Sequence, residues 1–94
     1  MLENLGEKGI NNLVEAILSL KDKSECYNFL EDLCTVAEVK AMAQRLEVAK
    51  LLSSNSTFNE IVAATGASTT TISRVNRCLR YGSGGYTMIL SRSK

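Results

Sequence analysis

The stretch from Thr57 to Arg80, TFNEIVAATGASTTTISRVNRCLR, constrains this chain more than any other. Thr57 with Glu60 three residues on is the reciprocal capping box that opens a helix. Phe58, Ile61 and Val62 give that short helix an apolar face. Gly66 stands where a tight inter-helix turn needs a residue that tolerates positive φ. Ser68 then caps a second helix, in which Ile72, Val75 and Leu79 recur at spacings of three and four. The pattern predicts a helix-turn-helix. Its outward face carries Thr69, Thr70, Ser73, Asn76, Arg77 and Arg80, small hydroxyls followed by an amide and cations. Such a surface can lie against DNA.

The remainder also reads as helical. Ile10, Leu13, Val14, Ile17 and Leu18 lie on one face of a first helix, predicted from Ile10 to Leu20. Asp22 and Glu25 suggest a second capping box, ahead of Tyr27, Phe29, Leu30 and Leu33. Cys34-Thr35 interrupts. Thr35 with Glu38 then opens a long helix to about Leu52, with Val39, Met42, Ala43, Leu46, Ala49 and Leu52 as its apolar stripe. Ser53 to Ser56 supplies turn chemistry. Beyond Arg80, residues 81–86 (YGSGGY) form a glycine-rich break that follows a helix and lacks the closing Lys-Ser/Thr of a phosphate loop. Thr87 to Leu90 is apolar enough for a last half-helix. Met1 to Gly9, with two glycines and no period, is expected to fray, and 91–94 reads as a polar tail. There is no proline and no strand-like alternation. The fold class is therefore all-α, with five helices or slightly more, in one domain spanning 1–94. Within it, 10–52 are dimerisation helices, 57–80 the helix-turn-helix, and 81–94 the glycine-rich break with a short C-terminal segment.

A domain of this length buries a modest core and often relies on association for stability. Its charge is divided. Residues 1–56 hold six Lys/Arg against nine Asp/Glu, a net charge of −3, whereas residues 57–94 hold five against one, a net charge of +4. A basic half that coincides with a recognition-helix pattern is the electrostatic footprint of a nucleic-acid reader. The three cysteines, Cys26, Cys34 and Cys78, are odd in number and follow no secretory signal, which favours buried thiols in a reducing cytoplasm. With no histidine and no close cysteine pair, no metal site is expected. Neither a nucleophile elbow nor a paired carboxylate site is evident, so an enzyme is not expected. No apolar run approaches membrane-spanning length.

Thr35-Val36-Ala37-Glu38, Ala41-Met42-Ala43-Gln44-Arg45, Thr65-Gly66-Ala67 and Thr71-Ile72-Ser73-Arg74 together resemble the Trp repressor family. The ending ISRVNRCLRYGSGGY is similar to a branch of small Trp-repressor-like proteins of bacteria. The likeness covers roughly Leu13 to Tyr86. It implies an intertwined, all-helical homodimer, with Leu13, Ile17, Phe29, Leu30, Leu33, Val39 and Leu46 as candidates for a shared core. Two reading heads would enter successive major grooves of double-stranded DNA, about 34 Å apart, on a pseudo-palindromic operator. The resemblance places base-edge and phosphate contacts on Ser68, Thr69, Thr70 and Ser73; Arg77 and Arg80, as cations, suit phosphates.

The family's founding member holds tryptophan between two arginines. Arg74 matches one of them; Arg45 matches the other, and Thr35 a nearby ligand-contacting threonine, if a one-residue length change intervenes. Two guanidiniums facing one cleft would suit a carboxylate. The alternative is a pair of surface or interface cations. Val75 stands where the founding repressor has glycine and would fill space that an indole needs, which argues against tryptophan and leaves another small corepressor or none. No cofactor is expected. The resulting expectation is a cytoplasmic, dimeric transcriptional regulator, a repressor by occlusion. The alternative is a dimeric protein-interaction module with an acidic N-terminal half.

Overall fold

The computed structural model describes residues 1–92, and among them it is wholly helical. A 3-10 turn at Leu2–Leu5 is followed by α1 (Lys8–Leu18), α2 (Lys23–Leu33), α3 (Val36–Ser53), α4 (Phe58–Thr65), α5 (Thr69–Tyr81) and α6 (Gly85–Arg92). They fall into two compact units, Met1–Val36 and the chain from Ala37 onward.

The first unit has no buried residue. Leu13, Val14, Ile17 and Leu18 recur along one side of α1, yet all four are exposed, Leu18 at 72 %. The N-terminal segment forms a 3-10 turn, closed by Gly6 in the left-handed region at φ 65°, and α1 begins two residues ahead of Ile10. At α2 the Asp22 carboxylate accepts the Glu25 backbone N–H at 2.9 Å. Glu25 reaches back to the backbone N–H of Lys21, one residue beyond the cap. The expected capping box is therefore half reciprocal, with its return bond displaced by one residue.

The second unit contains the core: Val48 and Ala49 of α3, Ile61 of α4, Ala67 of the turn, and Ile72 and Val75 of α5. Fully burying each large aliphatic side chain contributes roughly 1.5–3 kcal/mol. Leu51, Leu52, Tyr86 and Leu90 pack against this cluster. Several expectations change here. Of the expected α3 stripe only Ala49 is fully buried; Val39 and Leu52 are half-buried, Met42, Ala43 and Leu46 are exposed, and Val48, outside the stripe, is buried beside Ala49. Apolar side chains lie on more than one side of α3, and a helix of that kind needs cover from more than one direction. On α4, Ile61 alone is buried; Phe58 and Val62 are 38 % and 37 % exposed. The C-terminal segment is not a half-helix. α6 runs for eight residues and seats Tyr86 and Leu90 on the core. Ser91 and Arg92, expected in the polar tail, close α6, while Ser93 and Lys94 lie outside the described residues.

The thiols also differ from expectation. Cys26 and Cys34 are half-buried, Cys78 is exposed, and all three are free. Cys78 follows Val75 by three residues, which places it at the margin of the buried side of α5 rather than within it.

Candidate nucleic-acid interface

The helix-turn-helix is built from local bonds that its sequence announces. Thr57 and Glu60 form the complete capping box: the Thr57 hydroxyl accepts the Glu60 N–H at 3.2 Å, and the Glu60 carboxylate accepts the Thr57 N–H at 2.7 Å. At the other end of α4, Gly66 adopts the left-handed conformation, φ 71°, and donates its N–H to the Val62 carbonyl. That conformation costs a residue with a Cβ about 1 kcal/mol. Ser68 caps α5 by accepting the Thr71 N–H, and its hydroxyl donates to Thr71 Oγ1 at 3.1 Å.

The inner side of α5 holds Ile72 and Val75, both buried, with Leu79 half-buried. At 3.6 residues per turn, Thr70, Ser73, Arg74 and Arg77 fall within an arc of about 100° on the opposite side. All four are exposed. Ser68 and Thr69 are exposed at the N-terminal entry, where free backbone N–H groups and the positive end of the helix dipole favour phosphate. Among the described residues, neither Arg74 nor Arg77 uses its guanidinium within the chain.

Arg80 is placed differently. Its Nε donates to Asn76 Oδ1 at 3.1 Å, on the flank of α5 that Thr69 shares. It also lines an open groove with Leu52, Ser53, Asn55, Leu79 and Tyr81. Asn76, expected on the outward face, is half-buried and occupied by this bond. Tyr81 belongs to the outward arc and was not among the predicted site residues. It is 82 % exposed, and its position four residues after Arg77 is the signal that locates it.

The three candidate ligand contacts lie on different elements. Thr35 is exposed in the first unit, in the residue before α3. Arg45 and Arg74 are exposed on α3 and α5. Beside Arg45 on α3, Gln44 is half-buried, and its Nε2 donates to the Thr65 carbonyl at 3.2 Å. Val75 is 2 % exposed within the core. Among the described residues, no group of three or more His, Cys, Asp or Glu side chains is placed to hold a metal ion, and no helix is long and apolar enough to cross a membrane.

A capped, cation-bearing second helix following a tight turn anchored by buried Ala67 defines a helix-turn-helix protein, the class to which DNA-binding regulators of this kind belong. The chain belongs to the Trp repressor family, whose sequence profile matches residues 8–94. That family comprises regulators rather than enzymes. The chain is 52 % identical over 93 residues to the uncharacterised protein YerC of Bacillus subtilis, covering 99 % of this chain and 89 % of that one. It is similar to a candidate Trp repressor of Staphylococcus aureus, solved by crystallography, with a TM-score of 0.91 and 47 % identity over 98 % of this chain and 92 % of the other. A TrpR-like protein of Eubacterium eligens also gives 0.91, at 49 % identity over 96 % and 93 % of the two chains.

Proposed function

We propose that this chain is a homodimeric, sequence-specific DNA-binding regulator that represses by occupying a two-fold symmetric operator. The observation that carries the reading is the two-sidedness of α5. Ile72 and Val75 are buried on one side, and Thr70, Ser73 and Arg77 are exposed on the other, with Ser68 and Gly66 fixing the helix entry. In this reading Ser68, Thr69, Thr70 and Ser73 meet the major groove. Hydroxyls of this kind discriminate bases weakly, so water bridges and DNA shape supply part of the specificity. Arg77 and Arg80 hold phosphates, which position the protein and make affinity fall with salt. Dimerisation is supported by the exposed apolar side of α1 and by the apolar residues on more than one side of α3.

Selection of sites from a random duplex library at near-physiological salt tests this, run with and without a pool of amino acids. Enrichment of a two-fold symmetric sequence is the expected result. Enrichment only with the pool would make Arg45 and Arg74 an effector site. Enrichment in neither arm would move the chain to the second reading, a dimeric protein-interaction module. That reading draws on the acidic first half and on Met88 and Ile89, exposed on α6.

A further inference from the structure

We infer that Asn76 is a positioning residue for Arg80: its amide oxygen holds the Arg80 guanidinium back along α5 before DNA arrives, leaving the terminal nitrogens for a phosphate. This deepens the DNA-reading assignment above and rests on it.

Arg80 and Asn76 stand one turn apart on the same flank of α5, and Arg80 Nε donates to Asn76 Oδ1 at 3.1 Å. A guanidinium has donors only, so the amide atom that faces it is the oxygen. Asn76 is half-buried, which limits the rotamers open to its amide, whereas Arg80 is exposed. A constrained acceptor therefore fixes a long and otherwise free side chain. Because the guanidinium is planar, a bond at Nε sets the direction of both terminal nitrogens. Among the described residues, neither of those nitrogens has a partner within the chain.

The bond also decides between two directions. Arg80 lies in the last turn of α5. The final carbonyls of a helix lack partners within it and carry the negative end of its dipole, so they attract a cation. An Arg80 folded onto those carbonyls would cap the end of its own helix. Asn76 draws it the other way, about 6 Å towards the helix entry, along the flank that Thr69 shares. Among the described residues, the Arg77 guanidinium has no such partner. Of the two cations assigned to phosphates, one is free to search and the other is held. Ordering a long side chain on binding costs affinity, and a side chain held beforehand escapes that cost.

The test uses the full chain and two duplexes, one enriched from a random library and one unrelated. Asn76→Ala removes the acceptor and puts a better helix former in its place, so the thermal midpoint should not fall. The variant should bind both duplexes about fivefold more weakly per reading head, the size of ordering one long side chain. Its salt slope should stay that of the wild-type protein, because the Arg80 charge remains. Arg80→Ala should lower the slope by about one per reading head. Adding Asn76→Ala to Arg80→Ala should weaken binding no further. In the DNA-free wild-type protein, NMR relaxation should find the Arg80 Nε–H ordered, and more mobile in Asn76→Ala. An affinity loss that persists in the Arg80→Ala background overturns the inference, since Asn76 then acts on DNA or on the fold directly. So does unchanged affinity in Asn76→Ala, an Arg80 Nε–H that is already mobile in the wild-type protein, or an Arg80→Ala protein that binds as the wild type does. Each of these leaves the DNA-reading assignment standing. If Asn76→Ala fails to fold, the relaxation of the wild-type Arg80 Nε–H decides alone. If the wild-type protein binds neither duplex, the functional assignment falls and this inference with it.

Discussion

The hydroxyl of Thr65 bridges the helix-turn-helix turn, donating to Ile61 behind it at 2.7 Å and accepting the N–H of Ala67 ahead of it at 3.1 Å. Ala67 is buried, so its N–H has little access to water as a substitute partner. Thr65→Val keeps the shape and removes both bonds. It should lower stability by about 1–3 kcal/mol, the cost of stranding a buried donor, whereas Thr65→Ser should recover most of that loss. Urea unfolding of the two variants side by side provides the check.

A Cβ at Gly66 should be disfavoured for conformational reasons alone. A Cβ built there meets nothing within 4 Å, yet φ is 71°. Gly66→Ala should cost about 1 kcal/mol and Gly66→Asn less, because asparagine enters the left-handed region more readily. Equal losses for the two in thermal melts would mean that crowding, not backbone strain, governs the position. Gly82 is a different case: a Cβ there would collide with the Cys78 carbonyl that its own N–H contacts, so a side chain at 82 must displace the end of α5.

Arg77 is expected to act on DNA by charge. Arg77→Ala should weaken operator and unrelated duplex alike and lower the salt slope of binding by about one per reading head. Thermal stability should be almost unchanged, since Arg77 is exposed. Titrations across a salt series would show this, and a slope identical to that of the wild-type protein would remove Arg77 from the docking face.

Association is expected to depend on the uncovered side of α1. Ile17 is 52 % exposed and Leu13 39 % exposed in the single chain. Ile17→Lys places a charge where a second copy would have to exclude water, a cost of several kcal/mol for an unpaired ion. Sedimentation should find the wild-type protein dimeric and this variant largely monomeric at micromolar concentration. A wild-type protein that sediments as a stable folded monomer would contradict the homodimer outright.

The local features of the site were legible because their partners lie within four residues. Thr57 with Glu60, Ser68 with Thr71, and the left-handed Gly66 form in the expected places. Helix type and order follow from apolar spacing in the same way. Errors arose where the pattern is ambiguous by one residue. Asp22 and Glu25 suggested a reciprocal box, and the return bond goes to Lys21, because a flexible carboxylate can reach either of two adjacent N–H groups. Thr87 to Leu90 suggested a half-helix, and the helix extends from Gly85 to Arg92 because Tyr86 and Leu90 find a core to pack on.

By itself, then, the sequence determined an all-helical chain with a capped helix-turn-helix, a basic second half, and a recognition helix with cations opposite its apolar side. These properties reside in hydrogen bonds and spacings along one stretch of backbone. The tertiary structure decided which side of α3 is covered, that Arg80 is tied to Asn76, and that Gln44 rather than Arg45 meets the turn. Those outcomes depend on how helices rotate about their axes when they pack. A rotation of about 100°, one residue's worth, exchanges a half-buried amide for an exposed guanidinium. Only contacts between segments distant in sequence select among such rotations.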